Sequence, residues 1–275
     1  MKVLLVFAHP EPRSLNGALR DVAIRELEAQ GHEVLISDLY ADGWKSEVDR
    51  ADFPSWPPEQ RFLPAGASKK AFATNTLTED VKAEIDKLLW ADTLILQFPL
   101  WWYAMPAILK GWVDRVYAYG FAYGVGEHSD KRWGDRFGEG TLAGKRAMLI
   151  VTAGGWEEHY SARGVNGPID DLLFPINHGI LYYPGYDVLP LSSSTEWIVL
   201  ARPISSLSRS GCAKGCGRSR QPDRFPIGSR MAATTTSRAC SSALNWATRA
   251  QQGSRFTRIA QPRNRLRRVR LCGTA

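Results

Sequence analysis

Residues 93–116 read "TLILQFPLWWYAMPAILKGWVDRV", and the change of pattern within this stretch decides the fold. The first seven residues form a continuous apolar run, which is typical of a strand that a parallel sheet buries on both faces. From Pro106 onward the apolar residues recur at helical spacing, and a proline is well tolerated in the first turn of a helix. A buried strand that leads at once into a helix is half of a βαβ unit.

The same alternation continues on both sides of this stretch. We predict four more strands, in "KVLLVFAH", "HEVLISDL", "KRAMLIVTAGG" and "GILYYPGYDVLP". Helices are predicted over residues 15–27, closed by Gly31, and in "TEDVKAEIDKLLWAD". The inward face of the second helix would be formed by Val81, Ile85, Leu88 and Leu89. Strands that alternate with helices predict an α/β fold, a doubly wound five-stranded parallel sheet of flavodoxin-like type with strand order 2-1-3-4-5.

Two parts of the chain lie outside this pattern. Residues 40–76 are rich in Pro, Trp and Gly without clear periodicity, and we expect a long excursion over the surface. Residues 191–275 hold 16 basic residues against two acidic ones, whereas residues 1–190 hold 19 against 26. The four cysteines all lie in residues 191–275 without a C-x-x-C pair, so we predict no metal site. We therefore divide the chain into a flavodoxin-like domain, residues 1–190, and an Arg/Ser-rich tail, residues 191–275.

Two loops follow strands 1 and 4 and should meet at the carboxyl edge of the sheet, where α/β proteins bind ligands. "HPEPRSLN" places Ser14 and Asn16 where a helix begins, so backbone N–H groups and a hydroxyl can bind an anion. The alternative is that Ser14 only caps the helix. In "TAGGWEEHYS", Gly154 and Gly155 let the backbone approach a ligand, and Tyr160 offers a phenol.

The loop "PLWWYAMP" follows strand 3 at the same edge. Trp101, Trp102 and Tyr103 cannot all enter one core where the chain turns, so we expect them to form a wall against a planar ring. A dimer interface built from the same aromatic side chains is an alternative that is compatible with ring binding. Together the three loops predict a pocket for a flat ring with a phosphate tail, which describes a flavin nucleotide.

Several separate motifs, in order along residues 2–190, carry a family resemblance: "AHPEPRSLN", "QFPLWWYAMPAILKGWVDRV", "FAYG", "TAGGWEEHYSARGVNG" and "PINHGILYYPGY". They are similar to the NAD(P)H:quinone oxidoreductases, the dimeric FAD-containing branch of the flavodoxin-like superfamily. The resemblance implies a homodimer with FAD, rather than FMN, at each interface. It also implies a ping-pong reaction, in which NADH or NADPH reduces the flavin and leaves before a quinone-like acceptor takes two electrons in the same place.

The resemblance assigns roles by position. The FAD phosphates and ribityl side would be held by His9, Ser14, Leu15 and Asn16. The isoalloxazine would lie against Pro99, Leu100, Trp101, Trp102 and Tyr103, and its pyrimidine edge against Thr152, Ala153, Gly154, Gly155 and Tyr160. The catalytic residues would be Tyr160 and Asn166, and the acceptor would contact Trp102, Tyr123 and Asn166. For His9, a hydrogen bond to the backbone is the alternative to a flavin contact.

Two positions depart from the family pattern. Asn166 in "GVNG" stands where well-studied animal members have a histidine that pairs with the tyrosine, and Asn cannot take up a proton at neutral pH. The resemblance therefore does not extend to a charge relay at this position. Val125 stands where a second substrate tyrosine is found, which leaves the pocket more open, so no substrate preference is implied.

Two other classes of protein remain as alternatives. A flavodoxin-like electron carrier would share the fold but would lack a substrate of its own. The tail could bind RNA or DNA, because its 15 arginines can track phosphates, although it has few aromatic residues for stacking and we favour the enzyme. No run approaches the roughly 18 apolar residues of a membrane span, and the first strand lacks a cleavage site, so we expect a cytoplasmic protein.

The tail also carries the mark of a changed reading frame. The resemblance stops after "YYPGYDVLP", where the charge and the use of Arg, Ser and Cys change together. Read in a frame displaced by two bases, with allowed synonymous codons, "LSSSTEWIVLAR" becomes "AFVVYRMDRPRA", and a later stretch contains "QNGGDY", which resembles bacterial members of the family. We therefore predict the loss of one base near the codon for Pro190. The printed tail would be disordered, because its charge and weak periodicity oppose a packed core.

Overall fold

The computed structural model of the chain describes residues 1–189 and 198–201. Its strands are β1 (Lys2–Phe7), β2 (Glu33–Asp38), β3 (Thr93–Pro99), β4 (Arg146–Gly154), β5 (Asp187–Val188) and β6 (Ile198–Ala201). All strand pairings are parallel, in the order β2-β1-β3-β4-β5, and β6 also pairs with β4. The predicted flavodoxin-like sheet order is confirmed.

Helices alternate with these strands. They are α1 (Leu15–Ala29), α2 (Pro64–Ala73), α3 (Glu79–Trp90), α4 (Ala107–Val116) and α5 (Ile169–Phe174). Two 3₁₀ turns, Arg50–Asp52 and Glu157–Tyr160, and a π-helical segment, Pro175–Tyr182, complete the described elements. In that part of the chain no helix is long and apolar enough to cross a bilayer.

The sheet buries side chains on both faces. Successive residues of a strand point to opposite faces, so Leu4 and Val6 of β1 join a cluster with α3 and α4, whereas Leu5 and Phe7 join a second cluster with α1. All seven residues of β3 are buried. The continuous apolar run of residues 93–99 is therefore explained by its position in the centre of the sheet.

Residues 40–76 differ from the surface excursion that we expected. They contain α2 and contribute Phe53, Ala67 and Ala71 to the larger core cluster. The segment is held to α4 by Arg115, whose side chain is 2% exposed and donates to Asp52 (3.0 Å). The same guanidinium also donates to Asp80 of α3 (2.6 Å). The sequence lacks periodicity here because isolated residues, rather than one regular face, reach the core.

Two smaller expectations need correction. Leu89 is 47% exposed, because it lies at the margin of the buried stripe of α3 that Val81, Ile85 and Leu88 form. In "GILYYPGYDVLP", residues 179–182 are helical and only Asp187–Val188 form a strand. The edge of β4 is instead shared, since Arg146 pairs with Asp187 and Val151 with Ile198.

The division of the chain at residue 190 stays a prediction. Residues 198–201 of the predicted tail form β6, which the sequence did not lead us to expect. The remaining part of that tail, residues 191–197 and 202–275, lies outside the described residues, together with its four cysteines. The predictions of disorder and of nucleic-acid binding by the tail fall there as well.

Candidate functional site

The sheet order creates a crevice at the carboxyl ends of β1 and β3. These strands are neighbours, yet α1 after β1 packs on one face of the sheet and α4 after β3 packs on the other. The connections leave the shared edge in opposite directions, which is where open α/β sheets bind ligands. The crevice is bordered by a first loop (residues 8–14), a second loop (100–106) and, beside it, a third loop (155–168).

The first loop presents donors at the start of α1. Ser14 is the N-cap, and its hydroxyl accepts from the N–H of Gly17 (3.2 Å). His9 Nδ1 lies 3.0 Å from Ser14 Oγ and 3.1 Å from the backbone N of Glu11. Within the described residues, the N–H groups of Leu15 and Asn16 donate to no acceptor. Free N–H groups at a helix start attract an anion, so capping by Ser14 and anion binding are compatible here.

The same loop is folded tightly onto α1. A Cβ atom placed on Gly17 would lie 1.8 Å from the backbone oxygen of Pro12, a contact that no other residue could make without moving the loop. Gly17 is a residue that the sequence analysis missed. The glycine therefore fixes how closely Pro12 and the first turn of α1 approach each other.

Beneath the loops lies a buried polar floor. Asn16 Nδ2 donates to Thr152 Oγ1 (2.9 Å), and Thr152 Oγ1 donates back to Asn16 Oδ1 (3.2 Å). Gln97 Nε2 donates to the backbone oxygen of Asn16 (2.7 Å). These contacts bind α1, β3 and β4 together, and they show that the side chains of Asn16 and Thr152 are engaged with each other.

Gln97 is a second residue that the sequence analysis missed. Its side chain is fully buried, and its Oε1 has no hydrogen-bond partner in the part of the chain that the structure describes. A buried acceptor without a donor costs about 1–3 kcal/mol, which favours a polar group of a ligand near this atom. The sequence did offer a signal, because Gln97 is the one amide side chain in the otherwise mostly apolar run of β3.

The second loop is a tight turn made by large aromatic residues. Trp101 and Ala104 exchange two backbone hydrogen bonds of 3.0 Å, and the two residues between them, Trp102 and Tyr103, have φ angles of 50° and 61°. Positive φ at both central positions is the pattern of a type I′ turn, which favours Asn and Gly. Each side chain in this conformation costs about 1–2 kcal/mol.

The same turn exposes its side chains to solvent. Trp102 is 95% exposed, while Trp101 and Tyr103 are exposed to about half that extent. Trp101 also lies near His9 of the first loop, with ring centroids 6.1 Å apart. Backbone strain together with an exposed apolar ring supports a binding role for the second loop rather than a role in the core.

The third loop contains the two predicted catalytic residues, but their side chains bond to different partners. Tyr160 Oη donates to the backbone oxygen of Gly154 (2.9 Å). Asn166 Oδ1 accepts from Tyr103 Oη of the second loop (3.1 Å), and the Asn166 N–H donates to His159 O (2.9 Å). The structure therefore brings the second and third loops together through Tyr103 and Asn166, whereas Tyr160 and Asn166 do not bond to each other.

The remaining predicted flavin contacts line the same edge mainly through their backbones. Pro99, Thr152 and Ala153 are buried, and the N–H of half-buried Leu100 donates to Thr152 O (2.7 Å). Gly154 is exposed, and an added Cβ there would meet no described atom within 4 Å. Gly155 has a φ of 122°, which L-residues rarely adopt. The two glycines thus leave open backbone beside the crevice.

Tyr123 lies apart from these loops. It packs against Tyr119, with ring centroids 5.0 Å apart, and it borders a cavity of about 270 Å³ with Ser68 of α2 and Tyr117. Loss of solvation on burial raises the pKa of Tyr123 above its ordinary value. None of its contacts belongs to the three loops of this chain.

Comparison with known proteins gives a family-level result. The model of a protein family described as having a flavodoxin-like fold matches residues 1–197. A ribosyldihydronicotinamide dehydrogenase-like protein, traD, of Penicillium crustosum is 70% identical over 190 residues, which cover 69% of this chain and 71% of that protein. The human ribosyldihydronicotinamide dehydrogenase [quinone] is 41% identical over 189 residues, which cover 68% of this chain and 78% of the human one.

A solved structure extends the same comparison. A protein from Klebsiella pneumoniae, whose assigned activity is that of a quinone reductase, superimposes with a TM-score of 0.75 at 53% sequence identity. The superposition covers 90% of this chain and 85% of that one.

Proposed function

This chain belongs to the flavodoxin-like family of quinone oxidoreductases, and from that membership we propose that it reduces quinones or similar acceptors by two electrons, with NADH or NADPH as hydride donor and a flavin as cofactor. In the net reaction, the donor loses a hydride, and the quinone gains that hydride and one proton to become a hydroquinone. The observation that carries the proposal is the meeting of three loops at the β1/β3 crevice. The Asn16–Thr152 hydrogen bonds lie beneath these loops, and the Tyr103–Asn166 hydrogen bond joins the second loop to the third.

The residues at the crevice fit a flavin nucleotide. The free N–H groups of Leu15 and Asn16, with Ser14 and His9 beside them, suit a phosphate group. The unpartnered Oε1 of Gln97 suits a polar group of the ribityl chain or ring. When bound, a flavin supplies a ring that accepts a hydride from a nicotinamide and passes it to an acceptor.

Aromatic side chains of the second loop would hold the planar groups. Trp102 and Tyr103 project from a rigid turn, so little conformational entropy is lost when a ring stacks on them. Pro99 and Leu100 would form the base of this wall, and Trp101 its margin. Because the turn excludes water from one side of a bound ring, hydride transfer would take place in an environment of low polarity.

Backbone groups at the end of β4 and the start of the third loop would contact the edge of the ring. Thr152, Ala153, Gly154 and Gly155 can offer N–H and C=O groups at close range, since no side chain of the described residues stands over Gly154. Tyr160 would stabilise negative charge on the reduced ring after its hydroxyl turns away from Gly154 O. Asn166 would bind the acceptor. Tyr123 lies outside the crevice of its own chain, so a Tyr123 side chain that contacts the acceptor would have to come from elsewhere.

We further propose that the flavin is FAD and that the protein acts as a cytoplasmic homodimer. The support for FAD is the resemblance of the motifs over residues 2–190. The support for a dimer is the exposed apolar surface beside the crevice, where Trp102 of the second loop and Trp156 of the third loop are each more than half exposed. A second copy of the chain would cover such a surface.

Reconstitution tests this proposal directly. The purified protein is incubated with equimolar FAD and FMN, passed through gel filtration, and the retained flavin is released and identified by chromatography. We expect retention of FAD, and consumption of NADH, NADPH or ribosyldihydronicotinamide that depends on an added quinone. Retention of neither flavin would contradict the assignment, and flavin retention without donor consumption would identify an electron carrier.

A further inference from the structure

We propose that Tyr103 is a positioning residue: its hydroxyl fixes the orientation of the Asn166 amide, so that the amide NH₂ group donates to a carbonyl oxygen of the acceptor. The inference rests on the proposed function, since it takes reduction of a carbonyl-containing acceptor at this crevice as given. It adds a residue, Tyr103, and a chemical requirement, an acceptor oxygen on the substrate.

Both ends of the contact are held by the backbone. Tyr103 is fixed by the two hydrogen bonds that close its turn, between Trp101 and Ala104. Asn166 is fixed by the bond from its own N–H to His159 O (2.9 Å). The side chains then meet across 63 positions of sequence, with Tyr103 Oη donating to Asn166 Oδ1 at 3.1 Å. A contact between two anchored residues restricts the rotation of the amide more than a contact between free side chains would.

The chemistry of an amide makes this orientation consequential. Asn has an acceptor end and a donor end, and a turn of 180° about its last bond exchanges them. With Oδ1 engaged by Tyr103, the free end is the NH₂ group, for which the described residues offer no acceptor. A quinone oxygen is an acceptor that gains negative charge as the hydride arrives, so a fixed donor stabilises the transition state more than the ground state.

The strained turn gives the same conclusion by a different route. Tyr103 has a φ of 61°, where Gly or Asn would be accommodated at lower cost. A tyrosine in this conformation persists when its side chain makes a contact that a smaller residue could not make. The hydroxyl that reaches Asn166 is such a contact.

The rival explanation is a structural hydrogen bond that only joins the second and third loops. Loss of a purely structural hydrogen bond would change stability or flavin affinity and would affect all acceptors equally. Positioning of a donor would instead discriminate between acceptors with and without a carbonyl oxygen. The two explanations therefore separate by acceptor type.

Four flavin-loaded proteins test the inference: the wild type, Tyr103→Phe, Asn166→Ala and the double variant. The dissociation constant of 1,4-naphthoquinone is measured by calorimetry on the oxidised protein without a hydride donor, and kcat/KM is measured with 1,4-naphthoquinone and with ferricyanide, which has no carbonyl oxygen. We expect each single variant to weaken naphthoquinone binding about fivefold and to lower its kcat/KM further, about tenfold, because the hydrogen bond strengthens in the transition state. The kcat/KM for ferricyanide should fall clearly less than that for naphthoquinone. The double variant should match Asn166→Ala, because the hydroxyl acts only through the amide.

Asn166→Asp is a second variant that leaves the turn intact. Its carboxylate still accepts from Tyr103 but cannot donate, so we expect it to lose naphthoquinone binding at least as strongly as Asn166→Ala. Unchanged naphthoquinone binding in Tyr103→Phe, an equal loss with ferricyanide, or a further loss in the double variant would overturn the inference. A flavin-loaded wild type that consumes no hydride donor would refute the proposed function alone. In that case the ranking of the variants by their naphthoquinone dissociation constants still tests the inference. A wild type that binds no naphthoquinone overturns the inference.

Discussion

At the scale of single residues, Trp102 of the second loop contributes to binding rather than to stability. Trp102 is 95% exposed with a φ of 50°, so it contributes little burial and stores strain. Trp112, in contrast, is fully buried and donates its indole N–H to Glu84 Oε2 at 2.8 Å. These two tryptophans are ten positions apart on neighbouring elements. Substitution of Trp102 should therefore change flavin affinity more than stability, and substitution of Trp112 should change stability more than flavin affinity.

We predict that Trp102→Gly keeps the free energy of unfolding within about 1 kcal/mol of the wild type, because relief of positive φ offsets the added freedom of the unfolded chain. Flavin affinity should fall about fivefold, since the lost ring stacking amounts to about 1 kcal/mol. Urea denaturation of the flavin-free protein and a flavin titration measure the two quantities.

The matched control is Trp112→Phe. It leaves Glu84, which is 5% exposed, with one donor fewer, so the free energy of unfolding should fall by about 1–3 kcal/mol while flavin affinity of the folded protein is kept. If Trp102→Gly destabilises the protein as much as the control and flavin affinity is unchanged, Trp102 belongs to the core and the second loop is not a ring-binding wall.

At the scale of elements, α4 has a second task besides covering the sheet. Its Arg115 holds residues 45–52 through Asp52 and the backbone oxygen of Lys45, and its Gly111 allows the closest approach to the same segment. A Cβ atom on Gly111 would lie 1.9 Å from the backbone oxygen of Ser46. The segment that the sequence patterns placed on the surface is thus attached to α4 by the Arg115–Asp52 ion pair and by the close contact of Ser46 with Gly111.

We predict that Gly111→Ala lowers the free energy of unfolding by about 1–3 kcal/mol or more, because backbone must move to admit the methyl group. Gly179→Ala is the control, since a Cβ atom there meets no atom of the described residues within 4 Å and its φ is not positive. The control should be neutral or stabilising by up to about 1 kcal/mol. Thermal denaturation of both variants decides the point, and equal melting temperatures would show that residues 45–52 are not clamped by α4.

At the scale of the whole molecule, the composition of the chain divides at residue 190. Residues 191–275 carry a net charge of +14, from 16 basic and two acidic residues. The predicted loss of one base near the codon for Pro190 concerns a part of the chain that lies outside the described residues apart from β6.

Sequencing of the locus and of its transcript tests the frame. We expect a neighbouring reading frame, displaced by two bases, that encodes "AFVVYRMDRPRA" in place of "LSSSTEWIVLAR". A protein made in the restored frame should retain more FAD through gel filtration than the printed chain does, since the family's own C-terminal segment would then be present. An intact frame without an insertion or deletion would refute the hypothesis, and the basic tail would then need an explanation of its own.

The sequence alone was sufficient for the five strands and their order in the sheet, for α1, α3 and α4, and for the positions of the three loops. These features follow from local patterns, because hydrophobic spacing, helix starts and the carboxyl ends of strands are each encoded within a few neighbouring residues. The fully buried β3, the N-cap Ser14 and the position of Asn16 at the crevice were all predictable in this way.

Only the tertiary structure decided which of these residues meet. The bond from Tyr103 to Asn166 spans 63 positions, and the bond from Arg115 to Asp52 also spans 63. The unpartnered oxygen of Gln97, the exposure of Leu89 and the distance of Tyr123 from the three loops likewise depend on what lies across the fold. A side chain's partners are set by packing between segments distant in the chain, and no local pattern carries that information.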